Sequence, residues 1–130
     1  MAYRIYLVDD DRFLLDLFAV KFKNAGHEVT AFSGGGALLD SLRKTDIKPP
    51  DIILLDIIMT GIGGFEALET IRKESLAQGT KIVILSNQGQ DSDIEKAKQF
   101  SADGYIIKAS AIPSEVFAET IRIIETGKSN

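Results

Sequence analysis

The chain has 130 residues, 45% apolar and 26% charged, which suits one globular domain with a buried core and excludes disorder, collagen and a charged tail. Fifteen basic residues against nineteen acidic ones leave a net charge of −4, without the basic footprint of a nucleic-acid-binding domain, and the absence of cysteine excludes disulfides and thiolate chemistry. No apolar run reaches the ~18–20 residues of a membrane span and no signal-peptide pattern opens the chain, so the expected compartment is the cytoplasm.

Tyr3–Val8 is a short apolar run with aromatic and β-branched content, a strand by length and composition. Three aspartates, Asp9, Asp10 and Asp11, follow it directly. Phe13–Ala25 reads as a helix with Leu14, Leu17, Phe18, Phe22 and Ala25 at helical spacing, stopped by Gly26. His27, the only histidine, has no ligand cluster around it and reads as a surface turn residue. Glu28–Phe32 is a second strand. Gly34-Gly35-Gly36 lacks the pattern of a phosphate-binding loop and reads as a plain loop opening a helix at Gly36–Lys44, with Ala37, Leu38 and Leu42 inward.

Pro49-Pro50 punctuates before Asp51–Asp56, where Ile-Ile-Leu-Leu runs between two aspartates. Gly61, Gly63 and Gly64 mark a loop, and Phe65–Gln78 reads as a helix with Phe65, Leu68, Ile71 and Leu76 roughly on one face. Lys81–Leu85 is a fourth strand, Asp91–Phe100 a weak charged helix, Tyr105–Ile107 a fifth strand and Pro113–Thr126 the last helix. Five βα units with continuously apolar middle strands indicate an α/β protein with a doubly wound parallel sheet. Ligands of such sheets bind at the carboxyl ends of the strands, near a switch in strand order.

Those ends carry Asp9-Asp10, Asp56, Ser86 and Lys108. Singly, each has an ordinary reading: an aspartate caps a helix, a serine forms a turn, a lysine is solvated. Asp11 is read that way, as the cap of the first helix. Together the others bring three carboxylates, a hydroxyl and an ammonium to one sheet edge. Adjacent carboxylates repel, and a hard divalent cation such as Mg²⁺ relieves them. The ammonium and the hydroxyl suit phosphoryl oxygens. The pocket is therefore expected to receive a phosphoryl group.

Five segments resemble the receiver domain of two-component response regulators: Tyr6–Asp11, Asp51–Met59, Gly64–Leu68, Ile82–Ser86 and Ala102–Lys108. The likeness covers about residues 3–127, so the whole chain, 1–130, is expected to be a single receiver domain. It implies a flavodoxin-like five-stranded sheet of order 2-1-3-4-5 flanked by five helices. It also implies that Asp56 accepts a phosphoryl group from a phosphohistidine, and that Asp9, Asp10, Asp56 and the Ile58 carbonyl hold Mg²⁺. By the same resemblance Ser86 and Lys108 contact the phosphoryl oxygens, and Ser86 with Tyr105 forms the conformational switch. Such a protein catalyses its own phosphorylation and slow dephosphorylation and is not a turnover enzyme. Its implied partner is a sensor histidine kinase or histidine phosphotransfer protein, docking on Phe13, Leu14, Ala109, Ile112 and Pro113. A homodimer through helix four, strand five and helix five is a further implied option, with no direct nucleic acid or membrane contact.

Several positions depart from the family pattern. Thr60 replaces a usual proline, read as a loss of loop rigidity without a chemical effect. Ala109 follows the lysine where proline in a cis bond is usual; a non-proline cis bond costs about 3 kcal/mol, which favours trans and a rearranged loop. That loop looks one residue longer than usual before Pro113. Asn87 either restricts access to Asp56 or hydrogen-bonds the phosphoryl group. Ile58 and Gln88 occupy positions that tune the aspartyl phosphate, and an apolar Ile58 cannot orient an attacking water, which implies slow hydrolysis. Two rival readings remain. A haloacid-dehalogenase-like phosphatase would need a second Asp two residues after the nucleophile, where Ile58 stands. A degenerate receiver acting only by protein interaction would normally have lost one of Asp9, Asp10, Asp56 or Lys108.

Overall fold

The computed structural model describes residues 2–87, 90–108 and 113–127. In chain order the elements are β1 (Arg4–Val8), α1 (Arg12–Asn24), β2 (Glu28–Phe32), α2 (Gly35–Leu42) and β3 (Ile52–Leu55). They continue with α3 (Gly64–Lys73), β4 (Lys81–Ser86), α4 (Asp91–Gln99), β5 (Gly104–Ile107) and α5 (Pro113–Thr126). All paired strands are parallel, in the order β2-β1-β3-β4-β5. The expected α/β fold and its strand order are both present. No described helix is long and apolar enough to cross a membrane.

Side chains alternate across a strand, so each inner strand feeds two cores. Ile5, Leu7, Ile52, Leu54, Val83 and Leu85 pack under Leu15, Phe18 and Phe22 of α1 and Val116 and Ile123 of α5. Tyr6, Val8, Ile53, Leu55, Ile82 and Ile84 pack under α2, α3 and α4 through Leu38, Leu39, Leu68, Ile71 and Ala97. Burial on both faces is why these strands carry no polar alternation. Each fully buried Leu or Ile contributes roughly 2 kcal/mol.

Three helices differ from the sequence reading. Helix α2 ends at Leu42 rather than Lys44, and Ala37 is exposed while Leu39 takes the buried place beside Leu38. In α1 the buried stripe is Leu15, Phe18, Ala19 and Phe22, while Leu17 is 42% exposed and Ala25 is exposed. The chain offers two overlapping apolar stripes here. The one at i, i+3, i+4 and i+7 is complete, whereas Leu14 and Leu17 run out at Lys21. Helix α3 ends at Lys73, five residues short of Gln78. Ser75 and Ala77 take left-handed φ of 55° and 50°, and Leu76 N–H returns to the Ile71 carbonyl at 2.9 Å. Leu76 and Ala77 still reach the core from this turn, so their apolar spacing imitates a longer helix.

His27 sits in the expected turn but is not a free surface residue. Its Nδ1 accepts the Tyr3 N–H at 3.0 Å. The ring stacks on Tyr3 at 5.4 Å and tilts against Phe117 at 5.9 Å, tying β1 and α5 to the start of β2. The glycine triplet is a loop and helix start, as read. A Cβ on Gly35 would lie 2.7 Å from the Ile62 carbonyl oxygen, so this glycine lets the loop after β3 close onto α2.

Candidate functional site

Chain order switches sides between β1 and β3, which lie next to each other at the centre of the sheet. Val8 pairs with Leu55, and Asp56 N–H bonds the Val8 carbonyl at 3.0 Å. The next residues, Asp9 and Asp56, therefore emerge side by side. Ser86 pairs with Ile107, which sets Lys108 beside the end of β4. Parallel register alone thus converges the strand ends on one edge. They line a cleft of about 260 Å³ with Asp10, Asp11, Leu14, Ile58 and Asn87. A larger hollow of about 520 Å³ lies around the start of β2, where Arg4 is paired with Glu28.

One carboxylate oxygen from each of Asp9, Asp10 and Asp56 lies within 4.8 Å of the others. Asp9 and Asp56 are buried and Asp10 is exposed. The buried Lys108 ammonium sits 2.6 Å from Asp9 and 3.8 Å from Asp56. Each carboxylate also has a local donor. Asp11 N–H bonds Asp9 at 2.9 Å, Ile57 N–H bonds Asp56 at 2.9 Å, and Thr60 bonds Asp10. Ser86 lies close enough to the Asp56 carboxylate and the Tyr105 hydroxyl to lower the pKa of each. Asp11 caps α1 through Leu14 N–H at 3.2 Å, as read.

Burial pushes the Asp56 carboxyl up to about 6, and the Asp9 charge adds to that. Lys108, Ile57 N–H and Ser86 pull the other way. One ammonium among three carboxylates leaves the cluster short of positive charge. Hard oxygen donors with excess negative charge fit a divalent cation of the Mg²⁺ type. Burial raises the Tyr105 phenol to about 12, helped by the charges of Asp93 and Asp56. Tyr105 is thus a neutral hydroxyl at physiological pH.

Residues 5–118 match the sequence profile described as the response regulator receiver domain. The chain belongs to this family. The receiver domain is 27% identical over 124 residues to Protein PilH of Pseudomonas aeruginosa, covering 95% of this chain and 98% of that protein. It is 34% identical over 108 residues to the nisin biosynthesis regulatory protein NisR of Lactococcus lactis, where it spans 83% of this chain but 44% of that protein. Among solved structures, a CheY-like receiver domain protein of Methanospirillum hungatei superposes with a TM-score of 0.84 at 23% identity, covering 98% and 97% of the two chains.

The structure brings together Asp9, Asp10, Asp56, Ser86 and Lys108, with Tyr105 close to Ser86. Leu14 lines the cleft, while Phe13 does not and is 76% exposed. Asn87 is exposed at the rim. Ala109, Ile112 and Gln88 lie outside the described residues, as does the peptide between Lys108 and Ala109. Sequence reasoning missed two things: the Thr60 contact to Asp10 and the close approach of Gly64. A Cβ on Gly64 would lie 2.1 Å from the Asp56 carbonyl oxygen. The run of glycines after Asp56 was the available signal for the second.

Proposed function

We propose that this receiver domain is a phosphoacceptor. The Asp56 carboxylate attacks a phosphohistidine of a sensor kinase or phosphotransfer protein. A P–O bond forms at Asp56 as the P–N bond breaks, and the electron pair leaves with the imidazole. Above pH 6 Asp56 is mostly ionised and so nucleophilic. Asp9, Asp10, Asp56 and the Ile58 carbonyl would hold Mg²⁺, which when bound offsets charge on the phosphoryl oxygens. Lys108 contacts one phosphoryl oxygen as a point charge. Ser86 swings toward another, and its closeness to Tyr105 carries that movement to β5. The domain performs its own phosphorylation and slow dephosphorylation without turning over a separate substrate. We place it in the cytoplasm, where it can meet the kinase.

The observation that supports this reading is the acid cluster beside a buried lysine at the sheet's switch point. Intact mass after treatment with acetyl phosphate and Mg²⁺ tests it. One added phosphate is expected. Hydrolysis of phosphate esters would favour an aspartyl phosphatase instead, and an unchanged mass would leave only an interaction module.

Ile58 is 58% exposed at the cleft and offers no polar group to a water attacking the phosphoryl. Ile58→Asn should therefore shorten the phosphoryl lifetime several-fold in a decay assay by mass. A longer lifetime would contradict this.

The partner is proposed to dock on Phe13 and Leu14 with the loop from Ala109 to Pro113. Phe13, Leu17 and Val20 form one exposed stripe at i, i+4 and i+7 along α1. Phe13→Ser should slow transfer from the kinase or phosphotransfer protein about tenfold and leave acetyl phosphate uptake unchanged. Equal loss with both donors would refute the docking role. The α4–β5–α5 face, with Asp91, Asp93, Glu95, Lys96 and Lys98 on α4, is the proposed surface for homodimers. No direct nucleic acid or membrane contact is proposed.

A further inference from the structure

Asp10 differs from the other two carboxylates of the cluster. Asp9 and Asp56 are buried and share the Lys108 ammonium. Asp10 is exposed, and an exposed aspartate normally samples several rotamers. Here it is held by one residue twice. Thr60 N–H reaches Asp10 Oδ2 at 3.2 Å, and Thr60 Oγ1 reaches the same oxygen at 3.4 Å. Both donors fall on one oxygen, so Oδ1 takes no bond from Thr60. Thr60 is itself in a loop whose far end is tied down, since Gly64 N–H bonds the Ile57 carbonyl at 2.8 Å. The donors are therefore presented from a fixed frame.

We propose that Thr60 is a positioning residue for the metal site, turning the second oxygen of Asp10 toward a divalent cation held beside Asp9 and Asp56. The inference rests on the reading of those three acids as metal ligands. It revises the sequence expectation that Thr60 affects only rigidity. Outer groups that orient a ligand typically control metal affinity by 10–100-fold. A proline at this position would supply neither donor, because it lacks the N–H and the hydroxyl. Valine keeps the N–H alone, and serine keeps both.

Isothermal titration of the intact chain with Mg²⁺ tests the assignment without reference to phosphorylation. Thr60→Pro should weaken the Mg²⁺ Kd about tenfold and Thr60→Val about threefold, while Thr60→Ser restores the parent value. The Mg²⁺-induced rise in Tm should shrink in the same order. Thr60→Pro binding as tightly as the parent, or more tightly, overturns the proposal. Should circular dichroism show that the proline variant is unfolded, Thr60→Val decides, and an unchanged Kd there overturns it. A parent chain that binds no Mg²⁺ removes the metal reading itself, an outcome distinct from either variant result.

Discussion

Asp56→Asn should take up no phosphoryl group from acetyl phosphate, and in metal-free buffer above pH 6 it should be more stable than the parent. The first half follows from the loss of the nucleophile. The second follows from the position of Asp56, buried beside Asp9. Its carboxyl is raised from 3.8 to about 6, by burial first and the Asp9 charge second. The folded state therefore holds the Asp56 proton more tightly than the open chain does. That contribution is complete below pH 3.8 and is lost as pH rises through about 6. A change of this size corresponds to roughly 3 kcal/mol. The amide is neutral throughout and escapes the cost, although Lys108 then loses its second carboxylate. A gain of about 2 kcal/mol at pH 8 is expected from urea denaturation, shrinking toward pH 5. Parent stability that is flat between pH 5 and 8, or a less stable variant at pH 8, would contradict the account. Adding Mg²⁺ at pH 8 should stabilise the parent more than the variant.

Gly64→Ala should lower stability by roughly 3 kcal/mol, about 10 °C in Tm, and slow phosphorylation of whatever folds. The reason is close approach, not backbone conformation. The added Cβ would meet the Asp56 carbonyl oxygen at 2.1 Å, its carbonyl carbon at 2.9 Å and Ile57 Cα at 2.9 Å. All three are backbone atoms and cannot swing aside. To admit the methyl, α3 must retreat or the end of β3 must move, and Asp56 moves with it. Gly36→Ala is the matched control, because its Cβ would find only Ile62 Cδ1 at 3.9 Å. That variant should be neutral or slightly stabilising, by the ordinary preference of helices for alanine. Equal melting temperatures for the two variants would refute the argument.

The parallel sheet was legible because its inner strands are unbroken apolar runs between breakers, and their ends could be counted directly. Parallel register then carries Asp9, Asp56, Ser86 and Lys108 to one edge without any knowledge of loop geometry. The errors arose where two apolar patterns overlapped. Leu17 and Leu76 both have helical spacing, yet one is exposed and the other lies past the helix end, between the left-handed Ser75 and Ala77. Contacts between separate loops were not legible at all. Thr60 and Asp10 are fifty residues apart, and His27 meets Tyr3 only because β1 and β2 pair. Neither contact leaves a periodic trace in the chain.

The loop between β3 and α3 is pinned at its ends and open in its middle. Gly64 presses on the Asp56 carbonyl, and Gly35 presses on Ile62. Between them Ile58 and Thr60 are exposed. Substitutions at 58 and 60 can therefore alter the cleft without being absorbed by the core, where their cost to folding would be large. The same short loop holds positions that cannot drift and positions that can. A lineage of such domains, or an engineer, could vary signal duration and metal demand there while the scaffold stays unchanged.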